Sequence, residues 1–181
     1  MSRDFYELCY DQYKQEMAEA DGLYQKAAVM LGVIPLLGAV MVAIGRVDIV
    51  NLCSVRVDVF IFYFAFLVAT AALVVSVVFL FKCVCPQKYK TLASMDMWQK
   101  WRDDYQRWLD EQDDEWKETT SLDDALFPCI CTRLAEAQAI NAKINENRRK
   151  AFKRSVQLAA IALAAIAMQA LFGLLMTLQG V

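Results

Sequence analysis

The sequence predicts an all-α integral membrane protein: a helical bundle with three transmembrane helices and cytoplasmic helical extensions. Three observations carry this expectation. Residues 27–45 (AAVMLGVIPLLGAVMVAIG) and 59–81 (VFIFYFAFLVATAALVVSVVFLF) contain no charged side chain, and from Val156 to Leu178 only Gln157, Gln169 and Thr177 interrupt a third apolar run. Each run reaches the roughly 20 residues that a helix needs to cross the hydrocarbon core. Lipid offers backbone N–H and C=O groups no partner, so each run must satisfy its own as helix. The bulk numbers agree, because 58% hydrophobic residues and a mean hydropathy of +0.30 exceed the roughly 45–50% apolar share of soluble domains. The three runs take about 65 of the 181 residues, too many to leave a catalytic domain of ordinary size, on the order of 100 residues.

Residues 1–26 form the first element, an amphipathic cytoplasmic helix. Phe5, Leu8, Tyr13, Met17, Ala20 and Tyr24 recur at helical spacing on an otherwise charged rod. Only Gly22 and Gly32 weaken the path into the first run, so the helix is expected to continue to at least Ile34, with Pro35 removing one ladder bond. Six acids precede the first run, so no cleavable signal peptide is expected. Residues 27–81 then read as a transmembrane pair joined by a short external loop, 46–58, which contains Cys53.

The segment 82–154 reads as a cytoplasmic helical hairpin. Fourteen of the 19 basic residues fall within it, so the positive-inside bias places it, and with it the N-terminus, in the cytoplasm of a cell whose inner (plasma) membrane the chain spans several times. Trp98, Trp101, Tyr105 and Trp108, spaced 3-4-3, form an aromatic seam expected to pack between cytoplasmic helices, with a stacking platform for a ligand as the alternative; Trp116 follows them. Residues 102–124 carry ten acids against three bases, and residues 133–154 carry seven bases against two acids. The two stretches are expected to pair as antiparallel helices around a turn near Pro128. With no Gly or Pro from 129 to 172, the second helix continues into the last element, the transmembrane helix within 155–181.

Catalytic chemistry is thin. The chain has no histidine, which removes the commonest general base, and neither a Gly-rich phosphate loop nor a carboxylate pair in an apolar setting appears. The chain is therefore read as a non-enzyme with no cofactor. Cys83-Val-Cys85 and Cys129-Ile-Cys131 admit two readings: four thiolates for zinc at unusually tight spacing, or unbonded thiols near the membrane surface. No metal site is assigned from them.

The third span is rich in small residues, which allow close helix approach in lipid. Gln169 shares a face with Ala162, Ala165 and Gly173. This face is the candidate lining of an oligomeric pore, and helix-to-helix bonding by Gln169 within one subunit is the alternative. Arg148, Arg149, Lys150, Lys153 and Arg154 adjoin the span, as anchors on anionic headgroups or as a site for an anionic ligand such as a nucleotide or short nucleic acid.

These segments carry a family likeness. The N-terminal helix DFYELCYDQYKQEMAEADGLYQKAAVMLG, the short loop before the second span, and AEAQAINAKINENRRKAFKRS leading into the third give the chain a layout that resembles the SLATT-type membrane effectors of bacterial anti-phage and nucleotide-signalling operons. The third span departs from their two-span pattern. The resemblance implies a homo-oligomeric pore or membrane-disrupting effector, kept silent until a nucleotide signal or a partner releases it, and encoded beside a nucleotidyltransferase or sensor. The alternative is a non-conducting adaptor whose cytoplasmic bundle recruits a partner protein. A transporter is disfavoured because no span carries an acid or base for coupling.

Overall fold

The computed structural model describes residues 3–45, 57–112 and 122–178. All four elements among them are helices: α1 (Arg3–Gly45), α2 (Val57–Val84), α3 (Met95–Asp110) and α4 (Leu122–Leu178). Three helices are long and apolar enough to cross a membrane. The loop expected to be external, with Cys53, the acidic stretch with Trp116, and Val181 lie outside the described residues. The chain divides into two compact units, one of Met1–Asp21 with Gln87–Glu146 and one of Gly22–Pro86 with Asn147–Val181.

The second of these units is the membrane bundle. Its core takes Ala27, Ile34 and Met41 from α1, Ala69, Ala72, Leu73, Leu80 and Cys83 from α2, and Ala151, Ala162, Ala165 and Ile166 from α4. On α1 the inward positions Leu23, Ala27, Met30, Ile34, Leu37, Met41 and Ile44 alternate steps of four and three. A 3.5-residue repeat keeps one seam facing its partners. Small core residues on the other two helices, Ala69 and Ala72 on α2 and Ala162 and Ala165 on α4, bring the backbones close. A Cβ at Gly173 would stand 3.3 Å from the Phe62 ring, so α2 and α4 meet where only glycine fits without a shift. The outward side chains, among them Leu36, Phe60, Phe64, Leu67, Val74 and Leu174, are apolar and exposed, as a lipid-facing surface requires. Pro35 also faces outward, and α1 runs through it to Gly45.

The other unit packs the start of α1, residues 87–94, α3 and the first part of α4. Its small core holds Cys9, Cys131 and Leu134, with Tyr6, Tyr10, Tyr13, Leu92 and Ile130 against it. The inward stripe of α1 keeps the expected Tyr13, Met17 and Ala20 but departs from the expected one at Phe5, Leu8 and Tyr24. Phe5 and Leu8 are 43% and 53% exposed, while Tyr6, Cys9, Tyr13, Glu16 and Ala20 face in. Glu16, a charged residue, is part-buried on this face, where Asn145 Nδ2 donates to both its carbonyl (2.7 Å) and its carboxylate (2.9 Å). The expected turn near Pro128 is also absent. Helix α4 starts at Leu122 and passes through Pro128, which lies in the second turn, where the ring removes one ladder donor.

Residues 86–94 form neither helix nor strand, turn where the Tyr89 N–H donates to the Gln87 carbonyl (3.1 Å), and are held to α4 through Tyr89 and Lys90. The Lys90 N–H donates to Asn141 Oδ1 (2.9 Å) and Asn141 Nδ2 donates back to the Lys90 carbonyl (3.1 Å), a side chain standing in for a neighbouring strand. The Tyr89 hydroxyl donates to Asn145 Oδ1 at 2.6 Å. Ser94 then caps α3, accepting from the Met97 N–H, and Asp96 in the first turn suits the helix dipole.

Candidate functional site

Within the membrane bundle, Arg148, Ser155, Ala162 and Gln169 follow one another on α4 at intervals of seven residues. Seven residues make two turns of a supercoiled helix, so all four share one line. All are inside: Arg148 is 2% exposed and the other three 0%. Among the described residues of the bundle, the buried polar side chains are Arg148, Ser155 and Gln169 on this line and Ser76 on α2.

Each member of the line is held differently. The Arg148 Nε donates to the Cys83 carbonyl at 2.6 Å, and its guanidinium lies 4.1 Å from the Tyr24 ring centroid. That carbonyl belongs to the last turn of α2, where acceptors without helical donors concentrate negative charge, so a buried cation is tolerated. Two turns on, Ser155 and Ser76 bond reciprocally. The hydroxyls are 2.9 Å apart, and each lies 2.9–3.0 Å from the other residue's carbonyl. Ala162 leaves the next level apolar. Gln169 is the exception, because its side-chain nitrogen and oxygen are buried and make no hydrogen bond. Its Nε2 stands 3.5 Å from where a Cβ on Gly45 would be, beside the Phe66 ring.

The residues nominated from sequence separate into groups. Ala162, Ala165, Gln169 and Gly173 all face the interior of the single chain. Arg148 is not part of the surface cluster in which the sequence put it, since it is an interior residue, whereas Arg149, Lys150, Lys153 and Arg154 are exposed. Sequence reasoning missed Ser76, Ser155, Asn141 and Asn145. The available signal was the recurrence of Asn141, Arg148, Ser155 and Gln169 at multiples of seven.

The unit that contains α3 carries a different kind of site. Trp98, Trp101 and Tyr105 are half-buried and Trp108 is 42% exposed, so Leu109 rather than Trp108 closes the packed face of α3. Trp101 stacks on Tyr105 at 5.4 Å, and Tyr105 meets Trp108 at 5.5 Å. Trp98 instead borders an open cleft of about 520 Å³ together with Lys90, Ser94, Met97 and Arg133. Glu136 pairs with Lys90 at 2.9 Å and with Arg133 at 3.5 Å, and the Lys90 ammonium holds the Glu136 carboxyl below its ordinary range. Two cations share one carboxylate there, which leaves a net positive charge beside an indole. That combination suits a flat ring carrying an anionic group. Among the described residues no three metal-ligating side chains gather. In the same unit Cys9 and Cys131 pack in one core cluster, and burial, then the Cys9 thiol, push the Cys131 thiol up.

The model of the Pycsar effector protein domain matches residues 7–176, which covers both units. The chain belongs to the Pycsar effector family. This is a family of bacterial anti-phage effectors, and the Pycsar domain here is a transmembrane one. Neither a curated protein nor a solved structure matches the chain. The chain is thus a membrane effector of anti-phage signalling, with three helices apolar enough to span a bilayer.

Proposed function

We propose that this Pycsar effector acts as a homo-oligomer that permeabilises the inner membrane of a bacterium when a nucleotide-type signal or a protein partner releases it. Its layout follows the SLATT type, with the N-terminus and residues 82–154 in the cytoplasm. The output is loss of membrane potential, and catalysis plays no part; a chain without histidine lacks the usual proton-transfer group.

The observation that carries this reading is the Gln169 amide, buried in a span without a hydrogen bond. Such an amide destabilises the state that holds it by about 1–3 kcal/mol. A state that hydrates it, by parting α4 from α1 and α2, recovers that energy. The packed chain is then the silent form, and the signal supplies the rest of the opening energy. The cleft beside Trp98, Lys90 and Arg133 is where a nucleotide would act, with the indole for the base and the two cations for the phosphate.

Gln169→Leu tests the proposal. Leucine removes the orphaned amide and dries the line, so it favours the closed state and closes an open path by dewetting. Expressed in bacteria with the defence signal present, the wild type is expected to collapse the membrane potential reported by a voltage-sensitive dye. Gln169→Leu is expected to insert and oligomerise equally but leave the potential intact. A Gln169→Leu chain that depolarises cells fully would move the path elsewhere, with α1 around Pro35 the next place to look.

A further inference from the structure

We infer that Lys82 of α2 and Arg154 of α4 form a site for an anionic phospholipid of the phosphatidylglycerol type, with its phosphate between the two cations and one acyl chain along α2. The site does not depend on the permeabilising role proposed above. Lys82 directly follows the uncharged run that ends at Phe81, and Arg154 stands two residues before Val156, where the third run begins. Each is therefore the charged residue that borders its span. The fold puts them together, because the Lys82 ammonium and the Arg154 guanidinium each lie 5.5 Å from the centroid of the Phe79 ring. Both side chains are exposed, and among the described residues no carboxylate pairs with either. Asp58, the one acid on α2, stands at its far end. Along α4 the nearest acid is Glu146, eight residues before Arg154, or about 12 Å at 1.5 Å per residue. All the acids of α1 lie at or before Asp21, in the other unit.

Two cations on one ring repel each other, and an exposed phenyl face compensates each of them only weakly. A phosphodiester does better, since its oxygens accept charge-assisted hydrogen bonds from a guanidinium and an ammonium at once. Basic pockets between membrane helices hold lipid headgroups in this way. The surface beside the cations says that the phosphate belongs to a lipid. An open groove of about 560 Å³ includes Lys82 and is otherwise lined by Val78, Phe81, Val84, Cys85 and Pro86. Such walls accept an acyl chain and offer a soluble phosphate nothing. Charge then chooses among headgroups. Phosphatidylethanolamine would bring an ammonium against two cations, whereas phosphatidylglycerol brings only hydroxyls beside its phosphate. One lipid bound there ties α2 to α4 at this end of the bundle.

Native mass spectrometry of the full-length protein in mild detergent tests the site, with phosphatidylglycerol and phosphatidylethanolamine of equal chain length added in equal amounts. Phosphatidylglycerol is expected to stay bound in about tenfold excess, and either Lys82→Gln or Arg154→Gln alone should lower the excess to about threefold. The two changes together should bring the lipids close to equality, with the thermal midpoint in lipid-free detergent unchanged. Lys26→Gln with Arg149→Gln removes the same charge from exposed positions away from the Phe79 ring and should keep the preference. Equal loss in both double variants would reduce the effect to overall charge and overturn the site, as would a wild type that retains the two lipids equally. Inorganic phosphate that displaces the lipid at equal concentration would put a soluble anion in its place. Lipid present on the monomer but absent from larger assemblies would give the groove to a second copy of the chain.

Discussion

Asn145 and Gln169 are both fully buried polar residues on α4, and they differ in how they are satisfied. Asn145 accepts from the Tyr89 hydroxyl and donates twice to Glu16. Removing such a hub leaves several buried groups without partners. Asn145→Ala is therefore expected to destabilise its unit by about 2–3 kcal/mol, seen as a lower thermal midpoint and faster hydrogen exchange at residues 87–94. Gln169, which makes no bond, should show the opposite sign when replaced by leucine. The line to which Gln169 belongs was half legible in the sequence. An amide in an apolar run stands out, so Gln169 was found. Arg148 was taken for surface because four neighbouring bases surround it, and nothing local separates a buried arginine from an exposed one. What distinguishes it is the seven-residue step to Ser155 and on to Gln169.

At the level of elements, the spans were readable because lipid demands long uncharged helices, and the unbroken run from 129 to 172 announced the length of α4. Register was harder. Tyr13, Met17 and Ala20 face in as expected, but Tyr6 and Cys9 replace Phe5 and Leu8 in the first turns, and Glu16 joins the inward face through its bonds to Asn145. Pro128 looked like a turn, yet α4 runs through it at the loss of one ladder donor in its second turn. The corrected register brings Cys9 of α1 against Cys131 of α4 within one unit. Mild oxidation with copper phenanthroline in membranes, which takes two electrons and two protons from the thiol pair to oxygen, should form an intrachain disulfide. A reducible shift in gel mobility, absent in Cys9→Ser, is the expected result. The expected stripe would put Leu8 inward instead and leave Cys9 unable to reach its partner.

At the scale of the whole molecule, one chain contains a membrane bundle whose interior carries a polar line and a second unit whose cleft pairs an indole with shared cations. The first question is orientation. Impermeant maleimide applied to intact spheroplasts should label Cys53 in the loop between the first two spans and spare the exposed Cys85, with the reverse pattern expected only if the basic segment lay outside. The central claim, that parting α4 from its neighbours opens an ion path past Gln169, has a more direct test. Full-length protein reconstituted into liposomes with an internal chloride-sensitive dye should release chloride, and Gln169→Leu at equal incorporation should release little more than empty vesicles. Equal release from the two proteins, or none from the wild type in the presence of nucleotide extract from phage-infected cells, would contradict the account.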